Sequence, residues 1–123
     1  LLDYVERDKL AWKKAEERVV SRIAEGDSAF VYGAGIHSCQ LLAFTGLREH
    51  LNLKGFLDSS PTKWGKSLGE WKCYDPNSVD FGTCKNIVIS SFRSELEIYE
   101  SLTPLREKGM NVICLYHDAE VLP

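Results

Sequence analysis

The chain has 123 residues, enough for one domain, and a domain of this size buries about two-thirds of the surface its unfolded chain exposes. Its 44% hydrophobic and 27% charged residues exclude a disordered or membrane-embedded chain, and fifteen basic against eighteen acidic side chains, without long runs of one sign, leave no electrostatic footprint for nucleic acid or anionic lipid. The longest apolar runs are about five residues and Asp3, Glu6 and Arg7 interrupt the amino end, so neither a membrane span nor a signal peptide is expected and the chain reads as cytoplasmic.

The chain begins Leu1-Leu2 with no initiating methionine, which suggests a piece cut from a longer polypeptide or a processed product. From Leu2 to Glu25 the apolar residues Val5, Trp12, Ala15, Val19, Val20 and Ile23 recur every three or four positions, giving a helix with one apolar face and Gly26 as its stop. We divide the chain accordingly into an N-terminal helix, 1–26, and a nucleotide-binding domain, 27–123. Ser28 to Tyr32 is a short apolar run of the kind buried on both faces of a sheet, and it leads directly into Gly33-Ala34-Gly35. A helix over Ile36 to Phe44 follows, with Leu41, Leu42 and Phe44 as its buried side, and Gly46 ends it. Leu53 to Leu57 is the next strand and closes with Asp58, so that Ser28 to Asp58 has the length and order of a βαβ crossover.

Between Ser59 and Asn86 the pattern breaks into Gly, Pro, Ser and Lys punctuated by Trp64, Trp71, Tyr74 and Phe81, which predicts a loop with one short edge strand near Glu70 to Tyr74. Asn86 to Ser90 is a clear strand. Ser94 and Glu97 then match a capping box, and the helix they start runs to Lys108, with Pro104 as a kink and Gly109 as its stop. Met110 to Tyr116 supplies the fourth main strand. Alternating strands and helices imply an α/β three-layer sandwich of Rossmann type, with a mostly parallel sheet of four main strands plus a short edge strand. The first strand lies centrally, flanked by the second and third, which puts a topological switch point above the Gly-Ala-Gly turn.

That turn carries the chemistry. A strand entering a helix through Gly33-Ala34-Gly35 presents unpaired amides, with those of Gly33, Gly35 and Ile36 as the expected donors, together with the positive end of a helix dipole, and anions bind such a place. The first glycine permits the tight turn and the second removes a side chain from a phosphate's approach; Ser38 stands where a third glycine is usual. Asp58 lies where an acidic side chain can accept hydrogen bonds from a ribose diol, or it begins an Asx turn into Ser59-Ser60-Pro61. Ser90, Ser91 and Arg93 follow the third strand at the same sheet edge. Lys63 and Lys66 either meet phosphate or stand in solvent. His50 and His117 show no evident partner, and no histidine shows an orienting group that would make it a catalytic base.

Val31 and His37 stand where a domain that binds S-adenosylmethionine carries an acidic residue and a third glycine, so that cofactor is not expected here. Cys39, Cys73, Cys84 and Cys114 are 34, 11 and 30 positions apart, without a CxxC pair or the histidine spacing of a zinc site, so no metal site and no disulfide is expected; Cys39 and Cys114 read as small hydrophobes.

The string GAGIHSCQLL, followed by LKGFLDSSPTKWGKSLG and CYDP, resembles the Rossmann-like domains of bacterial sugar-modifying enzymes. Two such domains are the carboxyl-terminal domain of sugar C-methyltransferases and the amino-terminal domain of sugar acyltransferases with a left-handed β-helix. Pro61, Lys63, Gly65, Gly69 and Pro76 match the shared stretch, and the resemblance covers about residues 28 to 116. It implies a nucleotide-sugar ligand and a domain belonging to a larger transferase, not catalytically complete alone. Gly33, Gly35 and Ile36 would supply backbone donors for phosphate, Asp58 would hold ribose or base, Ser91 with Arg93 would line the opposite wall, and Ala34, His37, Ser59 and Lys63 complete the expected ligand-binding set. Two alternatives stay open: a fragment of an NAD(P)-dependent oxidoreductase, and a ligand-free module that packs or forms a homodimer through the N-terminal helix.

Overall fold

The computed structural model describes residues 2–118, with side chains from residue 8 onward; the side chains of Asp3, Val5, Glu6 and Arg7 lie outside the described set. Helix α1 (Leu2–Arg22) stops short of Glu25 because the Gly26 amide turns to the carbonyl of His50, 2.8 Å away, with Gly26 at φ +85°. Six strands follow in one sheet: β1 (Ser28–Tyr32), β2 (Asn52–Leu57), β3 (Ser67–Leu68), β4 (Trp71–Tyr74), β5 (Asn86–Ile89) and β6 (Asn111–Cys114). Their spatial order is β3-β4-β2-β1-β5-β6, parallel throughout except for the β3–β4 hairpin. β1 is therefore flanked by β2 and β5, the arrangement expected from the element order.

Alternate residues of each strand go to opposite faces, and the two cores follow this period. Ala29, Val31, Phe56, Val88 and Ile113 pack with Ala15, Val19 and Ile23 of α1, Leu41 of α2 (Ile36–Phe44) and Leu47 of α3 (Leu47–His50). Phe30, Tyr32, Leu57, Ile87, Ile89, Val112 and Cys114 pack on the other face, with Tyr99 of α4 (Glu95–Ser101) and Leu102, which precedes α5 (Thr103–Glu107). Ala15, Val19 and Ile23 of the α1 stripe are thus used inside the chain, whereas Val20, expected on the same face, is 45% exposed. Arg18 fastens the same helix to the end of β6, donating from Nε to the Cys114 carbonyl at 2.9 Å.

Several local expectations are corrected. Phe44 is 58% exposed and lies edge-on to Trp12, while Leu42 packs against the core only partly buried; Leu41, with Leu47 of the short helix after Gly46, fills that core. Cys39 is exposed on α2, whereas Cys114 is buried. The strand at Trp71–Tyr74 is not the sheet edge: it pairs with β2, and the two-residue β3 folds back outside it. Ser94 makes no side-chain cap; its amide donates to Ser91 Oγ at 3.1 Å, and the neighbouring Glu95 is the glutamate that matters. The helix expected to run to Lys108 breaks at Leu102, with Pro104 in the first turn of α5. His50 and His117 have partners, the Ile23 carbonyl at 2.7 Å and the Glu95 carboxylate at 2.8 Å.

Candidate functional site

Parallel strands place their carboxyl ends together, and here the ends of β1, β2, β4 and β5 surround a cleft of about 700 Å³ at the switch point. Nine of the ten residues selected from the sequence line it: Gly33, Ala34, Gly35, Ile36, His37, Asp58, Ser59, Lys63 and Ser91. Arg93 does not; it is exposed outside the cleft. Lys66 is likewise exposed and outside. Tyr32, Asp75, Ser90 and Glu97 also line the cavity.

The turn is built by contacts that leave little freedom. The Gly33 amide, expected as a phosphate donor, is instead spent within the sheet, donating to the Leu57 carbonyl at 2.6 Å, and Gly33 itself sits at φ +120°. A Cβ there would lie 2.8 Å from the backbone oxygen of Ser90, so β1 and β5 close together only over a glycine. Ser38, in place of a third glycine, is fully buried and donates from its hydroxyl to the Gly33 carbonyl. Gly35 differs. Its backbone is extended, at φ −144°, and an added Cβ would meet only the Lys63 Nζ, at 3.9 Å. Side-chain space at Gly35 is therefore cleft space.

Asp58 ties the ends of β1 and β2 together. Its Oδ2 accepts from the Ala34 amide at 3.0 Å and its Oδ1 from the Ser60 amide at 2.9 Å, the second contact being an Asx turn. Lys63 Nζ stands 3.5 Å from Oδ2, and the Trp64 indole donates to the Asp58 carbonyl at 2.6 Å. Burial alone would raise the carboxyl pKa, but the two amides and Lys63 outweigh it and hold the group below its ordinary value. Asp58 is an anion that preorganises the turn. A carboxylate has about four lone-pair positions, so accepting two amides and the lysine leaves capacity for a ligand hydroxyl. Burial also pushes the Tyr32 phenol up, although a bond to Ser59 partly opposes this.

With Ala34 held by Asp58, the amides of Gly35, Ile36 and His37 remain. Among the described residues no backbone acceptor or side chain takes them, as follows for the first turn of a helix that lacks a side-chain cap. Their residues line the cleft with Lys63, which is the one lysine or arginine among the described residues lining it.

His37 bridges the cleft to the interior. Its Nδ1 lies 2.6 Å from Ser90 Oγ, and its Nε2 bonds the Tyr116 hydroxyl. Trp12 and Tyr116 pack against its ring at centroid distances of 5.3 and 5.6 Å. Burial lowers the imidazole pKa, with Glu95 partly opposing it. An orienting group for this histidine therefore exists, though it comes from 79 positions away. Neither Tyr116 nor Glu95 carried a local signal of this role, since Tyr116 closes a strand run and Glu95 sits inside the capping-box stretch without being one of its two matching positions. Glu95 is fully buried and accepts from the Leu115 amide at 2.6 Å, the Tyr116 amide at 3.0 Å and His117, which holds the end of β6 in place.

No group of three or more metal-ligating side chains occurs among the described residues, and no described helix is long and apolar enough to cross a membrane.

Comparison with known proteins supplies the fold. No described family and no curated protein matches the sequence. Among solved structures, the chain is similar to UDP-D-quinovosamine 4-dehydrogenase from Vibrio fischeri, with 20% identity and a TM-score of 0.56 over 72% of this chain and 77% of that one. It is also similar to RSP, a Rex-family repressor, at 18% identity and a TM-score of 0.53 over 66% of this chain and 42% of that one. A structure of RSP with β-NADH matches at 15% identity and a TM-score of 0.50, covering 74% of this chain and 54% of that one. The chain thus spans about half the length of the repressor chains it matches. At these identities the likeness establishes a Rossmann-like fold.

Proposed function

We propose that this chain is a nucleotide-binding domain whose ligand is a nucleotide-sugar, and that it serves a larger sugar-modifying or methyltransferase-like enzyme without completing the chemistry itself. One observation carries the reading: the amides of Gly35, Ile36 and His37 are unpaired at the mouth of an open cleft with the Lys63 ammonium beside them. Phosphate oxygens would take those amides, and the helix dipole adds about 0.3–1 kcal/mol for an anion at such an end. Lys63 neutralises charge that Asp58 alone would repel. Asp58, Ser59 and Tyr32 form the side that would receive the ribose and base.

A second reading, a dinucleotide such as NADH, is favoured by the likeness to RSP, whose structure with β-NADH has the same fold. Calorimetric titration with UDP- and TDP-sugars and with NADH separates the two. The nucleotide-sugars are expected to bind, and Gly35→Leu is expected to abolish binding while the melting temperature holds. Binding of NADH alone would replace the first reading with the second; binding of neither would remove both.

A further inference from the structure

We infer that Ser90, His37 and Tyr116 form a second recognition element of this cleft, which takes an uncharged hydroxyl of the sugar carried beyond the ligand's phosphates. The inference rests on the nucleotide reading of the cleft and adds which residues read the part of the ligand that is not nucleotide.

Ser90 directly follows β5 and is fixed by its amide, which donates to the Tyr32 carbonyl at 2.9 Å. It is 4% exposed, yet it lines the cleft. Among the described residues, His37 Nδ1 at 2.6 Å is the one partner of its hydroxyl. A hydroxyl has one donor and two acceptor positions, so a single bond leaves Ser90 with unmet capacity. A neutral imidazole has one donor and one acceptor, which forces both of its bonds to run in the same direction. If Tyr116 donates to Nε2, then Nδ1 donates to Ser90 and the serine O–H is free to donate. If Ser90 donates to Nδ1, then Nε2 donates to Tyr116 and the serine oxygen is free to accept. In either order the chain ends on a polar atom at the cleft wall, and a sugar hydroxyl, both donor and acceptor, satisfies it.

The charge of that wall selects against a further phosphate. The segment from β5 through α4 contributes Ser90, Ser91, Ser94, Glu97 and Ser101 to the cleft, beside the apolar Ile98 and Leu102, and no lysine or arginine. Hydroxyls and a carboxylate suit a polyhydroxylated group, whereas an anion would meet Glu97 without a counter-charge. Phosphate is thus directed to the Gly35 side and the sugar to the Ser90 side.

The test compares UDP with UDP-glucose and UDP-N-acetylglucosamine by calorimetry in the wild-type chain, Ser90→Ala and Tyr116→Phe, with the His37 ring nitrogens followed by ¹⁵N NMR. Wild type is expected to bind at least one UDP-sugar more tightly than UDP. Ser90→Ala should weaken that UDP-sugar about tenfold, the worth of one hydrogen bond of this kind, and leave UDP within about twofold. Tyr116→Phe should change the His37 tautomer ratio and weaken the UDP-sugar by a smaller factor, again without moving UDP. Equal losses for UDP and UDP-sugar would show that the chain only stitches α2 to β5 and β6, and would overturn the inference. UDP binding with no gain from either sugar would overturn it alone; no UDP binding would overturn the nucleotide reading and this inference with it.

Discussion

Replacing Gly33 by alanine is expected to damage the fold, and replacing Gly35 by alanine is not, although both glycines belong to one three-residue turn. At Gly33 two costs combine. A φ of +120° lies in a region that L residues adopt at about 1–3 kcal/mol, and the new methyl would stand 2.8 Å from the Ser90 carbonyl oxygen, closer than real Cβ contacts come. Since that oxygen belongs to the backbone just after β5, relief requires the β1 and β5 ends to part, putting the Tyr32–Ser90 hydrogen bond at risk. A further cost of about 1 kcal/mol gives a total of about 3 kcal/mol, which for a domain of this size lowers Tm by about 10–15 °C. At Gly35 the backbone is already extended and the nearest atom is a flexible ammonium at 3.9 Å, so the cost should stay within about 0.5 kcal/mol. Thermal unfolding followed by circular dichroism reads both. A Gly33→Ala melting temperature within about 2 °C of wild type would refute the reasoning, because it would mean that the β1–β5 approach tolerates a side chain.

Glu95→Ala should cost about 3 kcal/mol in urea unfolding, because it leaves the Leu115 and Tyr116 amides without their acceptor; Glu95→Gln, which keeps one oxygen, should lose less, and equal losses would argue against an acceptor role. His37 is held below the ordinary histidine value, chiefly by burial. The folded state then binds fewer protons than the unfolded chain, so this group's stabilising contribution is complete above about pH 6.5 and is lost as pH falls below it. NMR titration should place the His37 midpoint below that of an unfolded histidine, and His37→Gln should flatten the stability profile between pH 5 and 7; an upward-shifted midpoint would contradict the packing described.

The fold was legible because the strands of a parallel sheet, covered on both faces, read as continuous apolar runs separated by helical periods. SAFVY, NIVIS and MNVICLY each carry such a run, LKGFL is broken by the exposed Lys54, and the Gly-Ala-Gly turn fixes where the first one ends. The region from Ser59 to Asn86 was harder: β4 joins β2 through only two paired positions, and no alternation over four residues distinguishes an interior strand from an edge. Phe44 misled for a related reason, since helical spacing says which residues share a face but not where the helix stops covering the sheet. At the site, the glycines, Asp58 and Lys63 were visible as neighbours in sequence. The partners of His37 were not. Ser90 and Tyr116 lie 53 and 79 positions from it, and only the order β1-β5-β6 brings the three strand ends together. Glu95 was hidden in the same way, inside a motif whose expected serine cap is not made.

The central claim is that the first amides of α2 are donors kept for a ligand phosphate. Titration of the ¹⁵N-labelled chain with UDP, followed in ¹H–¹⁵N correlation spectra, tests it at those atoms. The Gly35, Ile36 and His37 amide signals are expected to move most and to move together, with Lys63→Ala weakening the response. Stationary signals at these three positions in saturating UDP, or shifts centred on another surface, would contradict it.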